Sequence, residues 1–238
     1  MRLDKFLSEC HLLSRKESSR AVKCGRITVN GRQTVSADMS ISPDTDEIAL
    51  DGTPVSYNKF IYVMLNKPEG YVSATEDSSL PTVVELLSED LQKFKPFPCG
   101  RLDRDTVGLM ILTNDGELSH LLLSPKRHVP KKYLFKSADP LPLGAEQSFE
   151  NGVILADGYE CKSAKIELSE DRSGGIITLN EGKYHQIKRM VAALGSKVTY
   201  LERIEFSGIA LDKNLGRGEY RHLTEDEVKA LKNAVNRK

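Results

Sequence analysis

Two aspartates and two arginines alternate in a ten-residue stretch near the middle of the chain. The stretch GRLDRDTVGL, residues 100–109, sets Asp103 and Asp105 among Arg101 and Arg104, just before an apolar run. A free aspartate has a pKa of about 3.9, so Asp103 could act as an anionic nucleophile without a helper base. Taken alone, the pattern favours a surface ion pair of Asp103 with Arg101 or Arg104, because such local pairs are common. Another alternative is a metal pair made by the two aspartates, as a metal-dependent phosphotransferase or nuclease would use.

A predicted helix further along the chain carries two cations at an unfavourable place. In EGKYHQIKRMVAALG, residues 181–195, apolar side chains recur at helical spacing and Gly195 ends the pattern. Lys188 and Arg189 fall near the first turn, where the helix dipole disfavours a cation by about 0.3–1 kcal/mol. An aspartate in a dry pocket has the opposite need, because its pKa climbs by up to about 3–5 units unless a cation holds it charged. A basic residue from elsewhere in the fold, beside Asp103, would solve both problems.

The composition is that of an ordinary globular protein, but the charge is distributed unevenly. The 238 residues contain 34 basic and 34 acidic side chains, so the net charge is zero. Residues 1–32 hold eight bases against three acids, and residues 124–136 hold five bases and no acid. Such local surpluses favour a polyanionic partner. The four cysteines are scattered without metal-ligand spacing, which argues against a disulfide framework and a zinc site.

The first 58 residues look like a module of their own. SRKESSRAVKCG predicts a short helix that begins at Ser14 with a capping box to Glu17 and ends at Gly25. Two β-prone runs then flank Asn30 and Gly31, a strong hairpin signal, and DEIALDG predicts a further strand.

A basic stripe follows one face of this predicted helix. Lys16, Arg20 and Lys23 are spaced i, i+4 and i+7, and Arg15 and Arg26 flank them. Like charges at this spacing cost energy when no anion is present. The stripe could be a solvated face, but RNA phosphates would supply the missing anion.

Residues 59–238 predict a larger domain of mixed secondary structure. Strands are predicted in FIYVML, which ends at Asn66-Lys67-Pro68, and in GLMILT, KKYLFK, AKIEL, GIITL and KVTYLERIEF. Helices are predicted in PTVVELLSEDL, GELSHLLLS, HQIKRMVAALG and LTEDEVKALKNAV. There is no regular strand–helix alternation, so an α+β fold is expected rather than a doubly wound one. No glycine-rich phosphate-binding motif occurs, so nucleotide-cofactor chemistry is unsupported.

Several motifs resemble known RNA-binding families. LDKFL and SRKESSRAVKCGRITVNG are similar to the S4-type RNA-binding module, which has two helices and a β-hairpin. MLNKPEGYV, GRLDRDTVGL, KKYL and EGKYHQIKRM, in this order, resemble the pseudouridine synthases of the RsuA branch. YVSATEDSSLPTV and LGRGEYRHLTEDE resemble the member of that branch that acts on small-subunit ribosomal RNA.

This resemblance implies a fold and a set of site residues. It implies an α+β protein with an S4-type RNA-binding domain at 1–58 and a catalytic domain at 59–238, built on a mixed, largely antiparallel sheet flanked by helices. It makes Asp103 the catalytic aspartate, Lys188 its basic partner and Tyr133 the tyrosine that packs on the target uracil and helps to move a proton. The expected RNA-binding residues are Arg15, Lys16, Arg20, Lys23, Arg26, Asn30, Arg101, Lys131, His185, Gln186 and Arg189.

The implied reaction is the isomerisation of a uridine to pseudouridine. The enzyme breaks the C1′–N1 bond of a flipped-out uridine, turns the base and rejoins it through C5. Asp103 could attack C1′ of the sugar or C6 of the uracil, and the residues do not choose between these routes. No metal and no organic cofactor is implied.

The resemblance also implies a partner. We expect a uridine of small-subunit (16S) ribosomal RNA as the target, on free RNA or within an assembling particle. A large-subunit ribosomal RNA target, or an S4-type protein that binds RNA without modifying it, remains an alternative. We expect a cytoplasmic monomer without a membrane anchor, since the first residues lack a signal-peptide core and no apolar run reaches the roughly 18 residues of a membrane span.

Overall fold

The computed structural model describes residues 1–55, 57 and 59–236. The chain divides into two compact units, Met1–Ile61 and Tyr62–Lys238. The domain boundary predicted between 58 and 59 involves residue 58, which lies outside the described residues. Over the described parts of the chain, no helix has the length and apolar character needed to cross a bilayer.

The first unit packs two helices on a small antiparallel sheet. Its elements are α1 (Leu3–Glu9), α2 (Arg15–Lys23), β1 (Ile27–Val29), β2 (Arg32–Gln33), β3 (Ile48–Leu50) and β4 (Thr53–Pro54), with the strand order β2-β1-β3-β4. The predicted helix cap is present, because the Ser14 and Glu17 side chains each accept a hydrogen bond from the other's backbone N–H. Apolar residues of both helices and of β1 and β3 form a closed core, including Leu3, Phe6, Val22, Ile27 and Ile48.

The second unit is built on a nine-stranded mixed sheet. Its strands are β5 (Tyr62–Lys67), β6 (Phe97–Pro98), β7 (Val107–Thr113), β8 (Lys131–Ser137), β9 (Lys165–Leu168), β10 (Gly174–Leu179), β11 (Val198–Phe206), β12 (Ile209–Ala210) and β13 (Tyr220–His222). The main path runs β13-β5-β7-β11-β8-β10-β9, with β12 beside β11 and β6 beside β7. All pairs are antiparallel except β7 and β11. The predicted α+β class with a largely antiparallel sheet is therefore confirmed.

In the described residues of this unit, the sheet is accompanied by the helices α3 (Glu89–Gln92), α4 (Gly116–Leu123), α5 (Ala145–Asn151), α6 (Gln186–Ala193) and α7 (Glu225–Asn236). Buried residues of β5, β7, α4 and α7 share one core cluster, whose members include Met64, Leu109, Ile111, Leu122 and Leu231. Helix α6 instead contacts β11.

The helix predicted over PTVVELLSEDL was mostly wrong, because only its end is helical, in α3. The backbone at the start of this stretch pairs with Val72 instead: Val72 N–H donates to Pro81 O, and Val83 N–H donates to Val72 O. Glu85 accepts hydrogen bonds from both the backbone N–H and the hydroxyl of Thr82. These contacts hold the segment in turns despite its helix-like apolar spacing.

The parallel contact between β7 and β11 depends on a glycine. Gly108 has φ +98°, and a Cβ at this position would lie 2.4 Å from the carbonyl oxygen of Arg203. A side chain would therefore push the two strands apart. Since residues 100–106 lead directly into β7, Gly108 also sets how close the aspartate stretch lies to β11.

Candidate active site

A cleft of about 780 Å³ opens in the second unit. Its walls are the loop of residues 100–106 before β7, the loop of residues 180–185 before α6, and one face of β8 and β11. The charged lining is strongly basic, with six lysines and arginines against two carboxylates: Arg101, Arg104, Lys131, Lys162, Lys183 and Arg203, and Asp103 and Glu181. A basic cleft of this kind attracts a polyanion.

The loop that carries Asp103 is held from below by a buried lysine. Lys67, at the end of β5, is completely buried, and its ammonium group donates to the backbone carbonyls of Pro68, Asp103, Arg104 and Thr106 at 2.9–3.3 Å. Burial lowers the pKa of Lys67 to about 8, although the nearby Asp105, Asp103 and Glu69 carboxylates act in the opposite direction.

A serine fastens the same loop on a second side. Ser73 Oγ donates to Leu102 O at 2.8 Å and accepts from Leu102 N–H at 2.9 Å. Thr106 N–H donates to Asp103 O at 3.0 Å and closes the turn. The Asp103 backbone is thus fixed by hydrogen bonds to groups far apart in sequence, which preorganises its carboxylate.

The Asp103 carboxylate lies at the cleft beside two basic groups. Its Oδ2 is 3.2 Å from Lys188 Nζ, and its Oδ1 is 3.6 Å from His185 Nε2. The structure therefore brings Asp103 and Lys188 together, as the sequence predicted. Among the ion pairs of the described residues, none joins Asp103 to Arg101 or Arg104, so the local surface-pair alternative does not describe this site.

Lys188 is shared between the two aspartates of the stretch. Its ammonium group lies 2.5 Å from Asp105 Oδ1, closer than to Asp103. Burial disfavours the charge on Lys188, but hydrogen bonds to Asp105 and Asp103 outweigh it and raise its pKa above the ordinary value. Burial likewise opposes the charge on Asp105, and the hydrogen bond from Lys188 nonetheless lowers its pKa.

The ammonium group of Lys188 lies between the two carboxylates, so little reason remains for a metal ion to bind there. No group of three His, Cys, Asp or Glu side chains suited to a metal occurs in the described ranges.

The opposite wall is organised by Glu181. This buried carboxylate accepts from Gln186 Nε2 at 2.5 Å, Lys162 N–H at 3.0 Å and Tyr159 Oη at 3.1 Å. Gln186 Oε1 in turn accepts from Lys183 N–H at 2.8 Å. The wall is therefore tied to Gln186, the first residue of α6, two positions before Lys188.

The start of α6 has an unusual backbone. His185, the residue before the helix, has φ +49°, and its ring stacks on Tyr184 with 3.8 Å between centroids. Tyr184 is largely exposed, and both rings line the cleft. No side chain caps the helix. The charge of Lys188 is balanced by the two aspartates, Asp103 and Asp105.

Tyr133 lies on the floor of the cleft. It is 8% exposed, sits in the middle of β8 and is opposite Ile177 on β10 and Arg203 on β11. Its ring therefore has a rigid strand behind it and the cleft in front. Asp103 and Tyr133, predicted from separate motifs, come from a loop and a strand that both line this cleft, and Lys188 reaches Asp103 from helix α6.

The predicted RNA-binding residues fall into three groups. Arg101, Lys131, His185 and Gln186 line the cleft, although the Gln186 amide is buried and bonded to Glu181 and Lys183. Arg189, which follows Lys188 on α6, forms an ion pair with Asp157 at 2.5 Å. The others are exposed residues of the first unit: Arg15, Lys16, Arg20, Lys23, Arg26 and Asn30.

Two of those exposed residues already have protein partners. Arg26 donates to both carboxylate oxygens of Asp51. The Asn30 amide bonds to Asp46 and to the backbone N–H of Glu47 and so braces the turn. The basic stripe on α2, by contrast, faces solvent.

Sequence reasoning missed four residues that shape the cleft. Lys67 belongs to the motif MLNKPEGYV and Glu181 to EGKYHQIKRM, but neither motif reveals that its charged side chain is buried. Thr106 and Arg203 also line the cleft, and both are almost completely buried. Arg203 lies inside a β-strand pattern, where the only available signal was a charge at a position facing the core.

Comparison with known proteins agrees with this site. Residues 61–193, more than half of the chain, match the family model described as RNA pseudouridylate synthase. The chain is 46% identical over 234 residues to an uncharacterized RNA pseudouridine synthase, YtzG, of Bacillus subtilis (strain 168), covering 97% of this chain and 98% of the relative. It is 40% identical over 233 residues to the ribosomal small subunit pseudouridine synthase A of Escherichia coli (strain K12), covering 97% and 100%.

A solved structure agrees as well. The crystal structure of a pseudouridylate synthase superposes with a TM-score of 0.69 at 38% identity, covering 97% of this chain and 99% of that one. The family match, the full-length relatives and the shared fold lead to one conclusion: this chain belongs to the RNA pseudouridine synthase family and is an enzyme that isomerises uridine in RNA.

Proposed function

We propose that this enzyme forms pseudouridine in small-subunit ribosomal RNA and that Asp103 is its nucleophile. The observation that carries the proposal is the Asp103 carboxylate, 3.2 Å from Lys188 Nζ, at the edge of a basic cleft whose floor holds Tyr133. The target in small-subunit RNA is supported by relatives with that name that align over nearly their whole length.

Each residue has a distinct task in this proposal. Lys188 lies 3.2 Å from the Asp103 carboxylate and balances its negative charge once RNA has excluded water. Asp103 attacks C1′ of the ribose or C6 of the uracil, which divides the difficult exchange into easier steps. Tyr133 packs on the flipped-out base and keeps it in the cleft while it turns. Arg101, exposed on the cleft edge, contacts the RNA beside the flipped nucleotide.

Mapping of pseudouridine in ribosomal RNA tests the proposed target. RNA from cells lacking this protein should lose one pseudouridine of the small-subunit RNA, and the purified protein should restore it. Offering free RNA and partly assembled particles separately will show which of the two is the substrate. Loss of a site in large-subunit RNA instead would contradict the proposed target but leave the chemistry intact. A small-subunit target would also put the enzyme in the cytoplasm.

We further propose that the first unit is an S4-type RNA-binding domain. It has the two helices and the hairpin of such a module, and its basic stripe on α2 is exposed. The acidic residue of α2 is Glu17, and its carboxylate accepts the hydrogen bond from the Ser14 backbone that caps the helix. RNA phosphates are the natural counterions for the stripe.

Removing two cations of the stripe together with the flanking Arg15 should weaken RNA binding without changing the chemistry. The triple change Arg15→Gln, Lys16→Gln, Arg20→Gln should reduce affinity and flatten the slope of log affinity against log salt by about 2–3. The reaction rate at saturating RNA should stay unchanged. Filter binding across a salt series measures the slope, and an unchanged slope would remove the stripe from the interface.

A further inference from the structure

Two cations lie side by side on the floor of the cleft. Arg203 on β11 is only 1% exposed, and Lys131 on β8 is half-buried. Both approach the ring of Phe206, with Lys131 Nζ 5.7 Å and Arg203 Cζ 5.1 Å from the ring centroid. Lys131 and Tyr133 point to the same face of β8, and Arg203 is opposite Tyr133 in the sheet register. The two charges therefore flank the floor position that Tyr133 occupies.

Neither of these cations is neutralised by the protein. Lys131 Nζ donates to the backbone carbonyl of Val129 at 3.1 Å, and Arg203 Nε donates to that of Leu109 at 2.7 Å. Within the described part of the chain, no carboxylate makes a salt bridge with either side chain. The nearby Glu181 carboxylate is already occupied by its three donors. Burying two like charges without an anion is costly, so an anionic group from the substrate is the missing partner.

A third group points to the same absent partner. The hydroxyl of Thr106 is buried, lines the cleft, and has no hydrogen-bond partner among the described residues. A buried hydroxyl without a partner is unfavourable by about 1–3 kcal/mol, so a ligand atom that bonds it would recover that free energy. RNA phosphates would meet the exposed arginines at the edge of the cleft first. A flat base reaches the floor more readily than a phosphate that is joined to the chain on both sides.

We propose that Lys131 and Arg203 bind the carbonyl oxygens of the target uracil and stabilise the negative charge that the ring acquires during the reaction, with the Thr106 hydroxyl as an additional partner. This inference rests on the proposed role of Asp103. If the carboxylate bonds to C1′, the electron pair of the breaking C1′–N1 bond stays on the ring and spreads over N1, O2 and O4. If it bonds to C6 instead, the C5–C6 π pair moves through C4 onto O4.

Both routes therefore place negative charge on at least one carbonyl oxygen of the ring. In the first route, C5 of the uracil anion then bonds to C1′, and the Asp103 carboxylate leaves with its electron pair. C5 loses its proton and N1 takes one up, so the product is an isomer of the substrate. Fixed cations at the place where charge develops lower the barrier without reorganisation.

The titration of Lys131 gives this proposal a pH signature. Burial and the charge of Arg203 lower the pKa of Lys131 to about 8, and Cys99 and Glu181 act in the opposite direction. The ammonium form is therefore present at neutral pH and is lost as the pH rises through about 8. A reaction that needs the charged lysine should show an alkaline fall in kcat/KM, which reports the free enzyme.

The test compares Lys131→Met, Lys131→Arg and the control Lys132→Met. Lys132 neighbours Lys131 on β8 but pairs with Glu205 at 2.9 Å and lies outside the cleft lining. The rate at saturating RNA, followed by tritium release from uridine labelled at C5, should fall about 10²–10³-fold in Lys131→Met. RNA affinity should stay within about threefold. Lys131→Arg should recover most of the rate and shift the alkaline fall to higher pH, and Lys132→Met should match the wild type.

Other outcomes overturn the inference in recognisable ways. A Lys131→Met enzyme that keeps the full rate would show that the charge does not act on the base. A full rate with weaker, less salt-dependent RNA binding would make Lys131 a phosphate contact. An alkaline fall unchanged in Lys131→Arg would belong to Lys67, whose pKa is also about 8. If Lys131→Met fails to fold, the pH profile of Lys131→Arg decides the matter. An inactive wild-type enzyme would instead contradict the proposed function itself.

Discussion

The Asp103→Asn enzyme should bind RNA normally but form pseudouridine at least about 10³-fold more slowly than the wild type. The change keeps the size of the side chain and removes its charge, so the nucleophile is lost while the loop keeps its backbone hydrogen bonds to Lys67 and Ser73. Lys188 still has Asp105 as a partner at 2.5 Å, so the fold should survive. Tritium release from C5-labelled RNA measures the reaction, and a binding assay confirms that the complex forms.

The matched control is Asp90→Asn, because Asp90 is an exposed carboxylate that pairs with the exposed Lys93. This variant should be as active as the wild type. Asp105→Asn is the informative neighbour, since it removes the other partner of Lys188. Product formation by Asp103→Asn at a rate close to that of the wild type would refute the assignment of the nucleophile. Equal failure of Asp90→Asn would mean that the assay reports folding rather than chemistry.

Replacing Lys67 by methionine should lower the free energy of unfolding of the second unit by roughly 3–5 kcal/mol. The ammonium group serves four backbone carbonyls, three of them in the loop of Asp103 and Thr106. Methionine fills a similar volume but donates no hydrogen bond, so these buried carbonyls lose their partner. Urea denaturation followed by circular dichroism measures the loss. We expect activity to fall as well, because the loop is no longer fixed.

Lys93→Met is the control for this experiment, since Lys93 is an exposed lysine in a surface ion pair. Its change should cost no more than about 0.5 kcal/mol. If Lys67→Met were as stable as Lys93→Met, the carbonyls would have found other partners, and the bracing role of the buried ammonium group would be wrong.

Local patterns in the sequence predicted most of the secondary structure and the chemistry of the candidate site. The capping box at Ser14, the hairpin at Asn30 and the strands around the sheet are all present, because each depends on contacts between near neighbours. The electrostatic needs of Asp103 and of the cations on α6 predicted a basic partner for Asp103, but only the resemblance to the pseudouridine synthases singled out Lys188. What failed was the helix over PTVVELLSEDL, where pairing with Val72, a contact outside the segment, overrode apolar spacing.

The rest of the site could not be read from local patterns. Sharing of Lys188 with Asp105 depends on side-chain positions in a loop, which no residue spacing specifies. The buried cations Lys67 and Arg203 look like ordinary charged residues in the sequence. Their burial follows only from the order of strands in the sheet and from the close approach of β7 to β11 at Gly108.

The pairing of β7 with β11 has a consequence for the synthesis of the protein. Strand β11 occupies the middle of the sheet, between β7 and β8, yet it ends only at Phe206. A ribosome must therefore deliver the chain as far as Phe206, well beyond the aspartate stretch, before the central strand can be inserted. Until then, the segment bearing Asp103 has no parallel neighbour, and the lysine of α6 has no fixed position opposite it. Such distant pairings form slowly and late. A nascent chain should thus be unable to modify RNA until β11 has left the ribosome and joined the sheet.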